Sequence, residues 1–293
     1  MEFNKSKKIL VIGRAGMDIY PEPPGTKISE VKNFSTHLGG SAANTCVALS
    51  QLGVQSDLLT CVSEDAIGEY IFEKLKEFNV GSNFCRRVEN KFQTQVAVVE
   101  TILKNNQSIL YRNNSCDLQL NKNDIDNINF QDYSAVFISG TTLSSNPSRD
   151  AVFYATQKAS LLSIPLIIDM DYRPYNWESD EIKSNIYKKI MNEMDIIIGN
   201  DLEFNIADNS TEGFQLAKSF INEKPSIIIY KMGEKGSTVI TKEKEQNFGI
   251  FKVEAIKPTG AGDAFNGGFI SSILQGYSLE DSIKRGSANA AIV

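Results

Sequence analysis

A repeating rhythm constrains this chain more than any other feature. Five short, continuously apolar runs recur along it: Ile9-Leu10-Val11-Ile12, Ala135-Val136-Phe137-Ile138, Leu166-Ile167-Ile168, Ile196-Ile197-Ile198 and Ile227-Ile228-Ile229. Each is bounded by polar residues or glycine. A strand with one wet face alternates apolar and polar residues, whereas a parallel strand covered on both faces does not. Amphipathic stretches lie between them, notably Ile67 to Phe78 and Arg149 to Leu162. Strand–helix alternation of this kind predicts an α/β fold: a doubly wound, mostly parallel sheet flanked by helices with right-handed crossovers. A chain of 293 residues, 41% of them hydrophobic, is long enough to fill one large core.

Two segments break the rhythm. Tyr20 to His37 carries Pro21, Pro23, Pro24 and Gly25. Gln93 to Asn113 reads as a hairpin, with strands Thr94–Leu103 and Ser108–Arg112 around a turn at residues 104–107. Neither fits a central parallel sheet, so a small antiparallel β-sheet lid at its edge is expected. The division that follows is 1–18, 38–92 and 114–293 for the core, and 19–37 with 93–113 for the small sheet at its edge.

Composition removes several chemistries. The chain has one histidine, His37, so a histidine-rich metal site is out of reach and a serine–histidine hydrolase would depend on that residue. A carboxylate is the expected general base. His37 itself reads as an edge or packing residue, Trp177 as a packing anchor, Asp57, Glu64 and Asp65 as surface or cap residues, and Lys242–Glu245 as a solvated turn. The four cysteines follow no CxxC spacing, which predicts reduced, mostly buried thiols. A formal charge of −6 without a basic run argues against nucleic acid as a partner. No apolar run is long enough to span a bilayer and no signal-peptide pattern opens the chain, so a cytoplasmic protein with no membrane partner is expected.

The strongest chemical signal is Pro258-Thr259-Gly260-Ala261-Gly262-Asp263, set between a predicted strand over Ile250–Ile256 and a helix whose apolar stripe is Phe265, Phe269 and Ile273. Small residues at a helix start let backbone N–H groups approach an anion, and the helix dipole adds to the attraction. Alone, such a run is as well explained by an Asp-capped helix. It has company, however. Asp18 follows the first strand in Gly13-Arg14-Ala15-Gly16-Met17-Asp18, and Gly39-Gly40-Ser41-Ala42-Ala43-Asn44 opens a helix that Gly53 ends. Asp169 to Arg173, Asn200 to Glu203 and Lys231 to Gly236 each follow one of the apolar strands. In open α/β sheets, ligands bind at the carboxyl ends of the strands.

With these residues the chain resembles the ribokinase-like family of sugar kinases, often named after its phosphofructokinase B member. The resemblance runs over nearly the whole chain, and Thr259-Gly260-Ala261-Gly262-Asp263 is its most specific piece. It implies a kinase that uses ATP and Mg²⁺. In that reading Asp263 takes the acceptor's proton, and the N–H groups of Gly260, Ala261 and Gly262 form an anion hole. Asp18, Gly40 and Asn44 hold the sugar. Asn200 and Glu203 position the metal through water, while Lys231, Gly233, Gly236, Thr259 and Asn289 contact the nucleotide. With no Walker A sequence present, the backbone anion hole stands in for a P-loop. Lid strands that pair between subunits would give a homodimer.

Asp171-Tyr172-Arg173-Pro174 and Tyr111-Arg112 resemble, within the family, kinases of keto-deoxy sugar acids. A carboxylate substrate calls for a guanidinium fork, for which Arg14, Arg112 and Arg173 are the candidates. A structural ion pair is the competing role for each. 2-Keto-3-deoxygluconate is the runner-up acceptor, and a neutral ketohexose or nucleoside acceptor and a non-catalytic sugar-acid sensor are the further alternatives. Three departures from the family pattern stand out. Lys257 occupies the place of an acidic residue that helps hold a monovalent cation, so its ammonium is expected to replace that ion. Asp171 stands where an asparagine is usual. The chain ends at Val293, ahead of the stretch that in relatives completes the adenine and cation sites, so a truncated nucleotide site is expected.

Overall fold

The computed structural model describes residues 3–89, 91–102, 107–253 and 259–292. Two compact units emerge, Met1–Ile12 with Leu120–Ile250, and Gly13–Gln119 with Phe251–Val293.

The first unit is built on the apolar runs. Its strands are β1 (Lys8–Ile12), β8 (Tyr133–Ser139), β9 (Leu166–Asp169), β10 (Ile196–Asn200), β11 (Ile227–Lys231), β12 (Ser237–Ile240) and β13 (Glu245–Phe248). They lie in the order β13-β12-β11-β10-β9-β8-β1. All pairs from β1 to β11 are parallel, and the last two are antiparallel. The isoleucines of β1 and β10 are fully buried, as unbroken apolar runs require. The helices are α3 (Lys122–Asp126), α4 (Ser148–Leu161), α5 (Asp180–Met191), α6 (Asp201–Asp208) and α7 (Gly213–Phe220). Helix α4 packs on β9, α6 on β10 and α7 on β11.

The second unit holds a parallel pair, β4 (Ser56–Ser63) with β5 (Gly81–Val88), and a four-stranded sheet. The latter runs β3 (Asn33–Gly39), β2 (Gly16–Glu22), β6 (Gln95–Val99), β7 (Ser108–Tyr111). This small sheet was expected to be antiparallel, yet β2 and β6 pair in parallel, from Gly16 opposite Gln95 to Ile19 opposite Val98. The two strands come from segments far apart in the chain, so no tight turn dictates their direction. Its helices are α1 (Ser41–Gln51), α2 (Ala66–Glu77), α8 (Ala261–Leu274) and α9 (Leu279–Ile292). Helix α8 packs between α1 and α9, where a Cβ on Gly267 would run into Ala48.

Local chemistry explains several boundaries. Asp65 caps α2 by accepting from the N–H groups of Ile67 and Gly68 at 2.9 and 3.0 Å. Asp57, expected at the surface or as a cap, is instead buried within β4. Gly53 turns the chain after α1 with φ 79°. Residues 250–253, expected to begin a strand, form none, and 254–256 lie outside the described residues, as do Lys257, Pro258 and the hairpin tip at 103–106. The four cysteines are free thiols, three of them buried. Among the described residues no helix is long and apolar enough to cross a membrane.

Candidate active site

In the second unit, two glycine turns start two helices that meet. Gly260 takes a left-handed conformation at φ 93°, from which α8 departs, and the first intrahelical bond runs from Ala264 N to Gly260 O at 2.9 Å. The N–H groups of the preceding helical residues therefore have no partner within the helix. Ala261 and Gly262 are exposed. Asp263 stands beside them in the first turn, half-buried, and its Oδ2 accepts a hydrogen bond from Asn44 Nδ2 at 3.1 Å. Asn44 lies in the first turn of α1, behind Gly40. Gly40 also has φ 93°, and a Cβ there would press on the Arg14 carbonyl at 2.5 Å. One hydrogen bond thus links the two glycine motifs across 219 residues of sequence.

Asp18 sits within β2, opposite His37 of β3. A Cβ on Gly39 would run into the Asp18 carboxylate, so glycine keeps that space open. Tyr20, which the sequence reading passed over, brings its hydroxyl to 3.4 Å from Asp18 Oδ2. Burial, and then the Asp18 charge, push its phenol up to about 12. The signal was present, since Asp18 and Tyr20 are two apart on one strand and share a face. His37 makes an edge contact with the Tyr20 ring, as a packing residue should.

Buried Arg14 donates from Nη1 to the Gln95 side chain. Arg112 is equally buried and pairs with Asp117, which also accepts from the Ser115 hydroxyl. Asn289 gives its amide to the Ala264 carbonyl at 2.6 Å, tying α9 to α8.

The first unit gathers a different set at the carboxyl ends of β9, β10 and β11. Asn200 and Glu203 form a reciprocal box at the start of α6. Asn200 Oδ1 accepts from Glu203 N at 2.9 Å, and Glu203 Oε2 accepts from Asn200 N at 2.8 Å. The other oxygen, Glu203 Oε1, accepts from Tyr172 N at 3.1 Å, bracing the loop after β9. Burial first, and then the Asp169 charge, push the Glu203 carboxyl up to about 7 against the opposing pull of Lys231. Lys231 Nζ stands 3.6 Å from Asp169 Oδ1. Asp171 adopts φ 33°, in the left-handed range that asparagine and aspartate tolerate best. It accepts from Ser139 Oγ at 2.7 Å and pairs with Arg173 at 2.9 Å. Gly233 and Gly236 have φ 56° and 86°, and a Cβ on Gly236 would run into the Phe248 carbonyl. The β11–β12 hairpin therefore already requires glycine at Gly236. Trp177 packs against Tyr187 at 5.5 Å between ring centroids.

A hard divalent cation suits this acidic set. The Asp169 charge raises the cost of ionising Glu203, which an added positive charge would offset. Both Glu203 oxygens already accept backbone N–H groups, so a bridging water suits them better than direct ligation. Among the described residues, no three histidine, cysteine or acidic side chains close a metal cage by themselves.

The pattern of the pfkB family carbohydrate kinases matches residues 6–293. The chain belongs to that family. Among curated relatives, a 5-dehydro-2-deoxygluconokinase of Photobacterium profundum is 35% identical over 289 residues, covering 97% of this chain and 87% of the relative. The enzyme of the same name from Clostridium perfringens (strain 13 / Type A) is 34% identical over 302 residues, with 100% and 89% covered. A putative ribokinase II from E. coli, in complex with ATP and magnesium, superposes with a TM-score of 0.87 at 20% identity, over 97% of this chain and 92% of that one. A sugar kinase from Pyrococcus horikoshii, in complex with ATP, superposes with a TM-score of 0.80 at 26% identity, over 97% and 91%. This pfkB family kinase thus shares the ribokinase-like fold, with a large mostly parallel sheet and a smaller separate one.

Proposed function

We propose that the protein transfers the γ-phosphoryl group of ATP to a hydroxyl of a keto-deoxy sugar acid, 5-dehydro-2-deoxy-D-gluconate, a step of inositol catabolism in the cytoplasm. The observation that carries this reading is the Asn44–Asp263 hydrogen bond, which sets a carboxylate beside the open N–H groups of α8. The names of the relatives supply the acceptor.

Each residue has a physical task. The Asp263 carboxylate takes the acceptor's proton as the hydroxyl oxygen bonds to the γ-phosphorus and the bond to the bridging oxygen of ADP breaks. The N–H groups at Gly260, Ala261 and Gly262 face the charge on the transferred group, the kind of fixed-dipole stabilisation that carries most of such a reaction. Asp18, Gly40 and Asn44 hold the sugar hydroxyls. Arg14, Arg112 and Arg173 supply the charge for its carboxylate, the last two while paired with Asp117 and Asp171. Lys231, Gly233, Gly236, Thr259 and Asn289 serve the nucleotide. Asn200 and Glu203 would hold Mg²⁺ through water, and the bound ion would neutralise phosphate charge. The four-stranded sheet acts as the lid over the acceptor, and its edge strands pair two subunits into a homodimer.

The test is ADP release from MgATP with a panel of acceptors. Turnover is expected with 5-dehydro-2-deoxygluconate well above that with 2-keto-3-deoxygluconate, fructose or ribose. Preference for 2-keto-3-deoxygluconate would move the substrate and keep the class. Turnover with neutral sugars alone would refute an acid acceptor, and binding without turnover would indicate a sensor.

A further inference from the structure

Tyr20 has a place in the second unit that packing alone does not account for. Its ring fills a small cluster with Ala97 and Val99, with Leu110 packed against it. The His37 ring meets it edge-on, 5.3 Å between centroids. These contacts hold the ring on several sides and leave its hydroxyl little freedom. The hydroxyl stands 3.4 Å from Asp18 Oδ2, a long hydrogen bond of the kind that often tightens when substrate arrives. On the opposite strand Gly39 backs the same carboxylate, with no room for a side chain. Burial and the charges of Asp18 and Asp263 raise the phenol's proton affinity against the opposing hydrogen bond of Thr259.

We propose that Tyr20 is a positioning residue of the acceptor site, whose hydroxyl holds the Asp18 carboxylate in the orientation that receives the acceptor's hydroxyls. This rests on the assignment of Asp18 to the acceptor. An aspartate on a strand rotates about two side-chain torsions. A donor on one oxygen narrows the choice of orientations, so less freedom is lost on binding. Tyr20 and Asp18 then act as a unit, with the backbone of Gly39 as its wall.

The experiment is steady-state kinetics of Tyr20→Phe and Asp18→Asn in the full chain, with acceptor and ATP varied separately. Tyr20→Phe keeps the ring and its packing. It is expected to raise the KM for the acceptor about three- to tenfold, the worth of one hydrogen bond, with kcat and the KM for ATP little changed. A purely structural tyrosine would not produce that split. Calorimetric titration with the acceptor alone, in the cold, gives the same comparison if Tyr20→Phe is less stable. An unchanged acceptor KM and affinity in Tyr20→Phe, beside a raised KM in Asp18→Asn, overturns the inference and leaves the kinase reading intact. No effect from Asp18→Asn removes the assignment of Asp18 and the role of Tyr20 with it.

Discussion

Asp263 and Glu203 occupy the same position in their helices, third after the cap, and the structure uses them differently. The residue before α6 is Asn200, whose side chain and N–H group close a reciprocal box with Glu203. The residue before α8 is Gly260, which has no side chain to close one. Glu203 is buried, and both its oxygens are engaged by backbone N–H groups. Asp263 is half-buried and takes its hydrogen bond from a distant side-chain amide, Asn44. The asparagine cap thus goes with a buried first-turn acid that braces the chain, and the glycine cap with a half-buried one held by a distant amide.

Four variants can break or sharpen that contrast. The largest effect is expected from Asp263→Asn. It should lower kcat about 10²- to 10⁴-fold, the range of a lost general base, with little change in thermal stability. Near-normal ADP release from this variant would show that the contrast has no catalytic meaning.

Glu203 is expected to act on stability through pH. Its carboxyl is raised from 4.5 to about 7 in the folded chain, so between those values the folded state binds more protons than the unfolded one. Stability therefore falls as pH rises through this window. The loss is complete above about pH 7 and amounts to about 3 kcal/mol without ligand. Denaturant titrations from pH 4.5 to 7.5 measure it. Glu203→Gln should flatten the slope, and an unchanged slope would mean that Glu203 is not the group responsible.

Gly260→Ala tests the cap directly. A left-handed alanine costs about 1–2 kcal/mol, seen as a lower melting temperature, and it should reduce turnover by tilting the first N–H groups. An alanine variant of equal stability and activity would show that the left-handed entry is dispensable. The smallest effect is expected from Tyr20→Phe, which touches neither carboxylate of the comparison and should alter only the acceptor KM.

Much of this architecture was legible in the residues. All five apolar runs form strands, and the glycine turns at Gly40 and Gly260 open helices, because burial on both faces and helix entry are written in neighbouring residues. Strand β4 was hidden because Ser56, Asp57, Thr60 and Ser63 interrupt its apolar pattern, although all are buried. Arg86, half-buried, and Arg87, exposed, disguised β5 by their charge.

Local sequence determined where strands lie, where helices begin and which side chains could do chemistry, since propensity, capping and hydrophobic burial act over a few residues. Tertiary structure alone decided the distant partners: Asn44 for Asp263 and Tyr172 N for Glu203. It also set the parallel pairing of β2 with β6 and the proton affinity of Glu203. Pairing and burial depend on which distant segments arrive at one place, and no window of sequence contains both members of such a pair.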